Sequence, residues 1–360
     1  MFLSYLFLVF LIFQSRKYKQ KSYIYIYSVW FLIVLFDYMF FQEIFVPFSE
    51  KFDLFFLYFS FLFSFAYLLF DEIITRVGEL VTKKINLFSY RAYRLFSVML
   101  GFLSIALCLK AFSSMSILAV RAKLAAKELS FHVGISFPFV ASCVFFQNIK
   151  NEKKYCKFLA ILMFLLALIS SSKQFIILSF LFYIPWYKAG FKIKLIYIVF
   201  TVLVGFLLVL ILHAVTGRVA GSGNLVQKTL YTINGYFLGG LAVFQLFLDG
   251  TMSQHITTGA WIKTGEWVGN VYSGFYSFYE NNNVALLTFK ILCISLLYAA
   301  INIRRKSIFS QFMRVYSVYP LIFFVFSDLF FAAISQWIMF SIAGLGITFI
   351  KDKSRRTFLV

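Results

Sequence analysis

Residues Leu54–Phe70 read LFFLYFSFLFSFAYLLF, an uncharged run closed by Asp53 on one side and Asp71 on the other. A helix needs about 20 such residues to cross a hydrocarbon core. Similar runs recur near 1–14, 23–41, 95–113, 132–148, 158–170, 174–187, 195–213, 284–302, 315–331 and 333–350. With 54–70 they predict eleven spans, several of them short enough to require distortion or a locally thinned bilayer. At 62% hydrophobic and 13% charged residues, the chain lacks the polar side chains to coat a soluble globule. The expected fold class is therefore an all-α polytopic membrane protein, with residues 1–360 forming a single transmembrane domain. Met1–Phe13 lacks a basic leader and a small-residue cleavage site, so it reads as a retained first span.

Charge fixes the orientation. Of the 34 Lys and Arg, 24 fall in six polar breaks: 16–21, 76–94, 150–157, 188–194, 304–314 and 351–356. By the positive-inside rule all six face the cytoplasm, which places the amino terminus outside and the carboxyl terminus inside. The net charge of +20 is spread over membrane-flanking turns, where it suits anionic headgroups rather than nucleic acid. The ten remaining cations are Lys51, Lys110, Arg121, Lys123, Lys127, Lys173, Arg218, Lys228, Lys263 and Lys290. They lie on the outer face or within the membrane. The 51 Phe follow from an AT-rich gene as easily as from selection for lipid contact, and carry no functional information.

Parity decides the status of 230–248, which hydropathy alone would make another span. Both ends of the stretch 214–283 must be outside, because one extra crossing would put Arg304, Arg305 and Lys306 outside as well. The segment is therefore expected to be re-entrant or interfacial, within a large periplasmic stretch. Tyr231, Asn234, Tyr236, Gly239, Gly240 and Gln245 suit a helix packed against protein beside a water-filled cavity. Asp37, Lys110, Lys290 and Asp328 also fall toward the outer ends of their spans. Intramembrane charge is costly and commonly lines a cavity. Snorkelling to the surface explains Lys110 and Lys290 equally well, whereas the shorter Asp37 and Asp328 point to a paired or functional role.

Three outer cations, Arg121, Lys173 and Arg218, suit a site for a phosphorylated ligand. Arginine presents a planar fork to phosphate oxygens, and Arg218 lies in the Gly-rich stretch Gly217–Asn224, where the backbone can also approach a phosphate. This is not a P-loop, since the GxxxxGK[ST] spacing is absent. For any one of these residues alone, a solvated surface charge is the better explanation. Trp261, Trp267, Tyr272, Tyr276 and Tyr279, interleaved with Asn270 and Asn281–Asn283, fit a sugar-binding groove of aromatic faces and amides. An interfacial aromatic belt accounts for them equally well. His132, His213 and His255 lack HExxH or HxH spacing for zinc, and no GxSxG supports a serine nucleophile. Cys108, Cys143 and Cys293 sit in apolar runs and Cys156 in a cytoplasmic turn, which predicts neither disulfides nor a thiolate metal site. Internal repeats are not evident, so a transporter built from inverted halves is disfavoured.

Three segments, in order, resemble the O-antigen polymerases of the Wzy-dependent pathway. Ser170–Gln174 is similar to that family's small-residue turn closed by a basic residue. Tyr231–Phe247, with Tyr236 to Gly240 and Phe244–Gln245, is similar to its aromatic and small-residue membrane segment. Glu266–Ser273 resembles its asparagine-valine-tyrosine-threonine signature, here Asn270, Val271, Tyr272 and Ser273. Arg121, Arg218 and Asp328–Trp337 match by position. The sequence departs from the family at Glu280–Asn283, where an acidic residue and a glycine often stand.

The resemblance implies a glycosyltransferase of the bacterial inner membrane. It would join undecaprenyl-pyrophosphate-linked oligosaccharide repeats at the periplasmic face, moving the growing chain onto the non-reducing end of a new unit. Pyrophosphate is already a good leaving group, so nucleotide, cofactor and metal are dispensable if protein cations take the developing charge. Arg218 and Arg121 would do so catalytically, with Lys173 binding the same groups. Tyr236, Trp267, Asn270 and Tyr272 would bind the saccharide. Asp328, Glu128 and His132 are candidates for the base that accepts the acceptor hydroxyl proton. A chain-length regulator is an implied partner. Two alternatives from other classes are an O-antigen ligase, with the same donor, and a lipid-linked oligosaccharide flippase. A flippase would need charge along the full depth of the membrane, whereas here it clusters in the outer half.

Overall fold

A computed structural model describes residues 2–17, 22–40, 45–77, 88–113, 139, 142, 153–169, 225–250, 262–264, 267–269, 273–279, 282–303, 308–325, 330–331, 334, 337–338, 341–342, 345 and 350–351. Helices dominate them: α1 (Phe2–Lys17), α2 (Ser22–Phe40), α3 (Glu50–Val77), α4 (Tyr90–Ser113), α5 (Lys153–Ile169), α6 (Leu225–Leu248), α7 (Gly274–Phe278), α8 (Val284–Ile303) and α9 (Ile308–Phe323). Short strands add to the expected helical class: β1 (Phe88–Ser89), β2 (Ile262–Thr264), β3 (Trp267–Gly269) and β4 (Ile350–Lys351). Parallel β1–β4 and antiparallel β2–β3 form separate two-stranded pairs.

Three helices, over Glu50–Arg76, Arg91–Lys110 and Val284–Asn302, are long and apolar enough to cross a membrane, and shorter apolar helices cover Leu3–Ser15, Tyr23–Met39 and Leu238–Leu248. What marks α3 as a span is its outer face. It exposes Leu54, Phe61, Phe65, Leu69 and Ile73 while burying Phe52, Phe56, Phe59, Phe63 and Tyr67. A helix apolar on both faces is at home only where one face meets lipid. Helix α4 goes further. Its exposed residues are large, Leu95, Phe96, Met99, Phe102 and Leu103, and its buried ones small, Ser97, Gly101, Ser104 and Cys108. Small residues at helical spacing allow close backbone approach in lipid, where hydrophobicity gives no drive between helices. A β-carbon at Gly101 would stand 2.7 Å from the Phe139 ring.

The span expected at 315–331 is displaced. Helix α9 begins at Ile308, inside the basic break, and gives way to a turn at Phe324–Val325. Pro320 removes one backbone donor from its last turns, and the Phe324 carbonyl accepts from the Gly274 N–H at 2.6 Å. The expected spans 174–187 and 195–213 lie outside the described residues, as does 132–148 apart from Phe139 and Ser142.

The chain divides into two compact units. The first comprises Met1–Arg76, Ala189–Ala300 and Pro320–Ala332; the second comprises Val77–Lys188, Ile301–Tyr319 and Ala333–Val360. In the first unit, one set of helix ends meets around Tyr23, whose ring lies 6.2 Å from Tyr67 and 4.6 Å from Tyr298. At the opposite ends, Gln245 Nε2 donates to the Pro47 carbonyl, Tyr38 OH to the Val46 carbonyl at 2.5 Å, and Tyr58 OH pairs with Thr288 Oγ1 at 2.7 Å. In the second unit, β1 pairs with β4 and Tyr155 OH donates to the Arg94 carbonyl at 2.6 Å. Those contacts bring Phe88–Arg94, Tyr155 and Ile350–Lys351, described residues of three basic breaks or their edges, to one end. In the first unit, the ends that touch are ones that alternate crossing would assign to the same side; in the second, Tyr316 and Trp337, expected at opposite ends of their spans, stand 4.8 Å apart, in keeping with the displacement of α9.

Candidate functional site

Within 266–273, Trp267–Gly269 and Ser273 are each held by the fold. Upstream, Trp267, Val268 and Gly269 pair with Thr264, Lys263 and Ile262 across the hairpin. Downstream, Ser273 is buried in extended conformation ahead of the five-residue helix α7. The α7 entry is fixed by its backbone. Gly274 N–H bonds to the Phe324 carbonyl, and Gly274 packs so closely on the Phe324 ring that a β-carbon there would overlap it. One residue later, the fully buried Phe275 contacts rings from three long helices: Phe31 of α2 at 5.7 Å, Phe59 of α3 at 4.9 Å and Phe244 of α6 at 5.8 Å, besides Phe324 at 4.8 Å. Offset or edge-on aromatic pairs of this kind contribute about 0.5–1.5 kcal/mol each beyond area burial. Four residues, Asn270 to Ser273, separate this paired strand from this anchored helix in the sequence.

Helix α7 is also tied at its far end. Lys290, half-buried on α8, donates from Nζ to the Ser277 carbonyl at 2.5 Å, and its ammonium lies 5.9 Å from the centroids of both Phe278 and Phe331. Its charge is thus engaged inside the protein rather than led to the surface. Lys110, by contrast, is exposed at the end of α4 beside the exposed Leu109, the placement that snorkelling requires. Two of the aromatics expected in a sugar groove are partly committed to packing: Tyr276 sits 5.0 Å from Phe247, and Tyr279 sits 5.2 Å from Phe55. The amide of Asn283 is occupied as well, since its Oδ1 accepts the Leu286 N–H at 3.0 Å and caps α8. Asn282 adopts φ 54°, a left-handed conformation that asparagine tolerates better than most residues. Asn282 is therefore a turn residue of the kind glycine often supplies.

Helix α6 carries Tyr236 and is enclosed by protein over its second half. Leu241, Ala242, Val243, Phe244 and Gln245 are all fully buried. Consecutive helical residues turn about 100° each, so these five sweep every face of the helix and leave none for lipid. Asn234, on the same helix, and Ser273 are also buried; Asn234 Nδ2, Gln245 Oε1 and Ser273 Oγ make no hydrogen bond among the described residues. Buried polar groups without partners cost about 1–3 kcal/mol each. Such groups suit a region built to meet water or hydroxyls.

Of the residues expected to carry the chemistry, Arg121, Lys173, Arg218, Asp328, Asn270 and Tyr272 lie outside the described residues, as do Glu128 and His132. Tyr236 and Trp267 are placed by their backbone, on α6 and β3. Sequence reasoning did not find Gly274 or Phe324, whose roles arise from contact between segments 50 residues apart. For Lys290 the signal was present, a charge inside a span, but its partners were not.

The described residues thus define a polytopic helical membrane protein in which an enclosed amide-bearing helix and an anchored aromatic segment stand together. Over 338 residues, 86% of this chain and 87% of that protein, the sequence is 27% identical to an O-antigen polymerase of Shigella dysenteriae. The resemblance seen in three short segments extends along most of the chain. No protein-family model matches the sequence, and no solved structure matches it.

Proposed function

We propose that the protein is an O-antigen polymerase of the inner membrane, joining undecaprenyl-pyrophosphate-linked repeat units at the periplasmic face. The observation that carries this reading is the similarity to the Shigella dysenteriae polymerase over 86% of the chain. The paired strand β3 and the packed helix α7, between which Asn270–Tyr272 fall in the sequence, support it, because orienting an acceptor sugar needs amides and aromatic faces near fixed elements. Residues 1–360 act as one transmembrane domain, with 214–283 on the periplasmic side. Arg218, Arg121 and Lys173 take the charge that develops on the departing pyrophosphate, so the transfer needs neither metal nor nucleotide. Tyr236, Trp267, Asn270 and Tyr272 hold the saccharide. Asp328 is the preferred acceptor of the hydroxyl proton, and Glu128 and His132 are the alternatives. A chain-length regulator is the expected protein partner.

Lipopolysaccharide gels of a strain lacking the gene test this directly. A polymerase deletion leaves core bearing a single repeat, whereas loss of a ligase or flippase leaves no O-chain at all. Complementation should restore the ladder with the wild-type chain but not with Arg218→Ala. Removing one charge-assisted contact to a transition state costs on the order of 2–4 kcal/mol, roughly 30- to 1000-fold in rate. Arg218→Lys should recover little, because a point charge does not reproduce a bidentate grip. A near-normal ladder from Arg218→Ala at matched protein level removes that residue from the mechanism.

A further inference from the structure

We propose that Lys290 is a positioning residue for glycosyl transfer, locking the segment that follows Asn270–Tyr272 against the segment that contains Asp328. The inference rests on the polymerase reading above. Its basis is a juxtaposition of three chain segments in the first unit. The short helix α7 begins two residues after Tyr272. At its start, the Gly274 N–H bonds to the Phe324 carbonyl at 2.6 Å. Near its end, Ser277 offers a carbonyl that so short a helix cannot satisfy internally, and Lys290 Nζ donates to it at 2.5 Å. The same ammonium stands 5.9 Å from Phe278 of α7 and 5.9 Å from Phe331. Phe324 and Phe331 flank Asp328 in sequence, four residues before it and three after. Both ends of α7 are thereby tied to the stretch that holds the preferred base, one by a backbone bond and one through Lys290.

The chemistry of the position argues for more than packing. Around Lys290, α8 is apolar, burying Leu287, Ile291 and Ile294 and exposing Phe289. An ammonium within a span is costly, and an aliphatic side chain would fill the same place without that cost. A lysine adds direction: a donor aimed at one carbonyl, and a charge attracted to the faces of two rings on separate segments. Such a tie holds α7, which begins two residues after Tyr272 in the sequence, against Phe324 and Phe331. Displacing groups by about 1 Å from outside the reacting centre can cost on the order of 100-fold in rate.

The test uses full-length protein in membrane vesicles, with undecaprenyl-pyrophosphate-linked repeats extracted from the deletion strain as substrate. Lys290→Met keeps length and apolar volume but removes the donor and the charge. Turnover should fall on the order of 10- to 100-fold with KM nearly unchanged, the signature of lost alignment rather than lost binding. Lys290→Arg, which keeps a donor and a cation above the rings, should recover most of that loss. Lys110→Met removes the other intramembrane lysine and should behave as wild type. Should Lys290→Met fail to accumulate, Phe331→Leu, which removes one ring face but keeps apolar bulk, should give a smaller loss of the same kind. Normal turnover in Lys290→Met, a loss that tracks the amount of folded protein, a rise in KM alone, or no recovery in Lys290→Arg would each overturn the assignment. If wild-type vesicles make no polymer, the polymerase reading itself fails, an outcome separable from every variant result.

Discussion

Gly274 shows how much one absent methyl group can decide. Its backbone donates to Phe324 while its α-carbon rests on the Phe324 ring, an approach that any larger residue blocks. The ring has little freedom to retreat, since it is buried between Phe59, Phe278 and Phe330 at 5.5, 4.9 and 5.6 Å. Gly274→Ala should therefore destabilise the protein by about 1–3 kcal/mol, the usual cost of forcing extra volume into a packed core. Gly250 makes the contrasting case. It has φ 74°, but open space surrounds the position of a β-carbon. Gly250→Ala should cost only about 1 kcal/mol, from the left-handed backbone. Thermal unfolding of the two purified variants compares them, and equal or reversed shifts in Tm would contradict the packing argument. The sequence shows that both positions are glycine; it does not show that one needs its φ and the other its emptiness.

At the scale of elements, the apolar runs revealed most of the helices because a span is selected by composition over a length the bilayer sets. Ends were less legible. Helix α9 starts about two turns before its apolar run, since backbone hydrogen bonds continue through Gln311 and Arg314 without regard to hydropathy. The hairpin β2–β3 has strands of three residues each, too short for alternation to register. That hairpin and α7 bracket the asparagine-valine-tyrosine segment, and their division of labour with the outer arginines is testable. Asn270–Tyr272 offers amide and aromatic groups but no cation, chemistry suited to a sugar and not a phosphate. Tyr272→Ala should weaken polymerisation while leaving undecaprenyl pyrophosphate bound. Arg121→Ala should do the reverse and lose the carrier. Binding of undecaprenyl pyrophosphate to the two purified variants is the direct comparison. If Tyr272→Ala loses carrier binding as badly as Arg121→Ala, the two groups of residues do not divide the substrate in this way.

For the whole molecule, the pattern of basic turns and the pattern of contacts are two constraints that can be compared pair by pair. Charge assigns each helix end to a side, and the ring contacts around Tyr23 and the β1–β4 pair join ends assigned alike. Helix α6 is where the two principles meet most sharply. At 24 residues it is about 36 Å long, enough to cross a hydrocarbon core of about 30 Å, so length alone would make it a span. Parity opposes this, because a crossing would carry the basic turn at Arg304–Lys306 to the outside. Its enclosure by protein removes the reason for counting it, since a helix with no lipid-facing side over Leu241–Gln245 can be apolar without being transmembrane. Lys228, in its first turn, and Thr251, beyond its last residue, should therefore be labelled from the same, outer side. Single cysteines at these positions, in a chain whose four native cysteines are replaced by alanine, can be tested with an impermeant maleimide on intact and opened cells. Labelling of both in intact cells is the expected result. Labelling from opposite sides would mean that α6 crosses, and then one of the runs 174–187 and 195–213 does not.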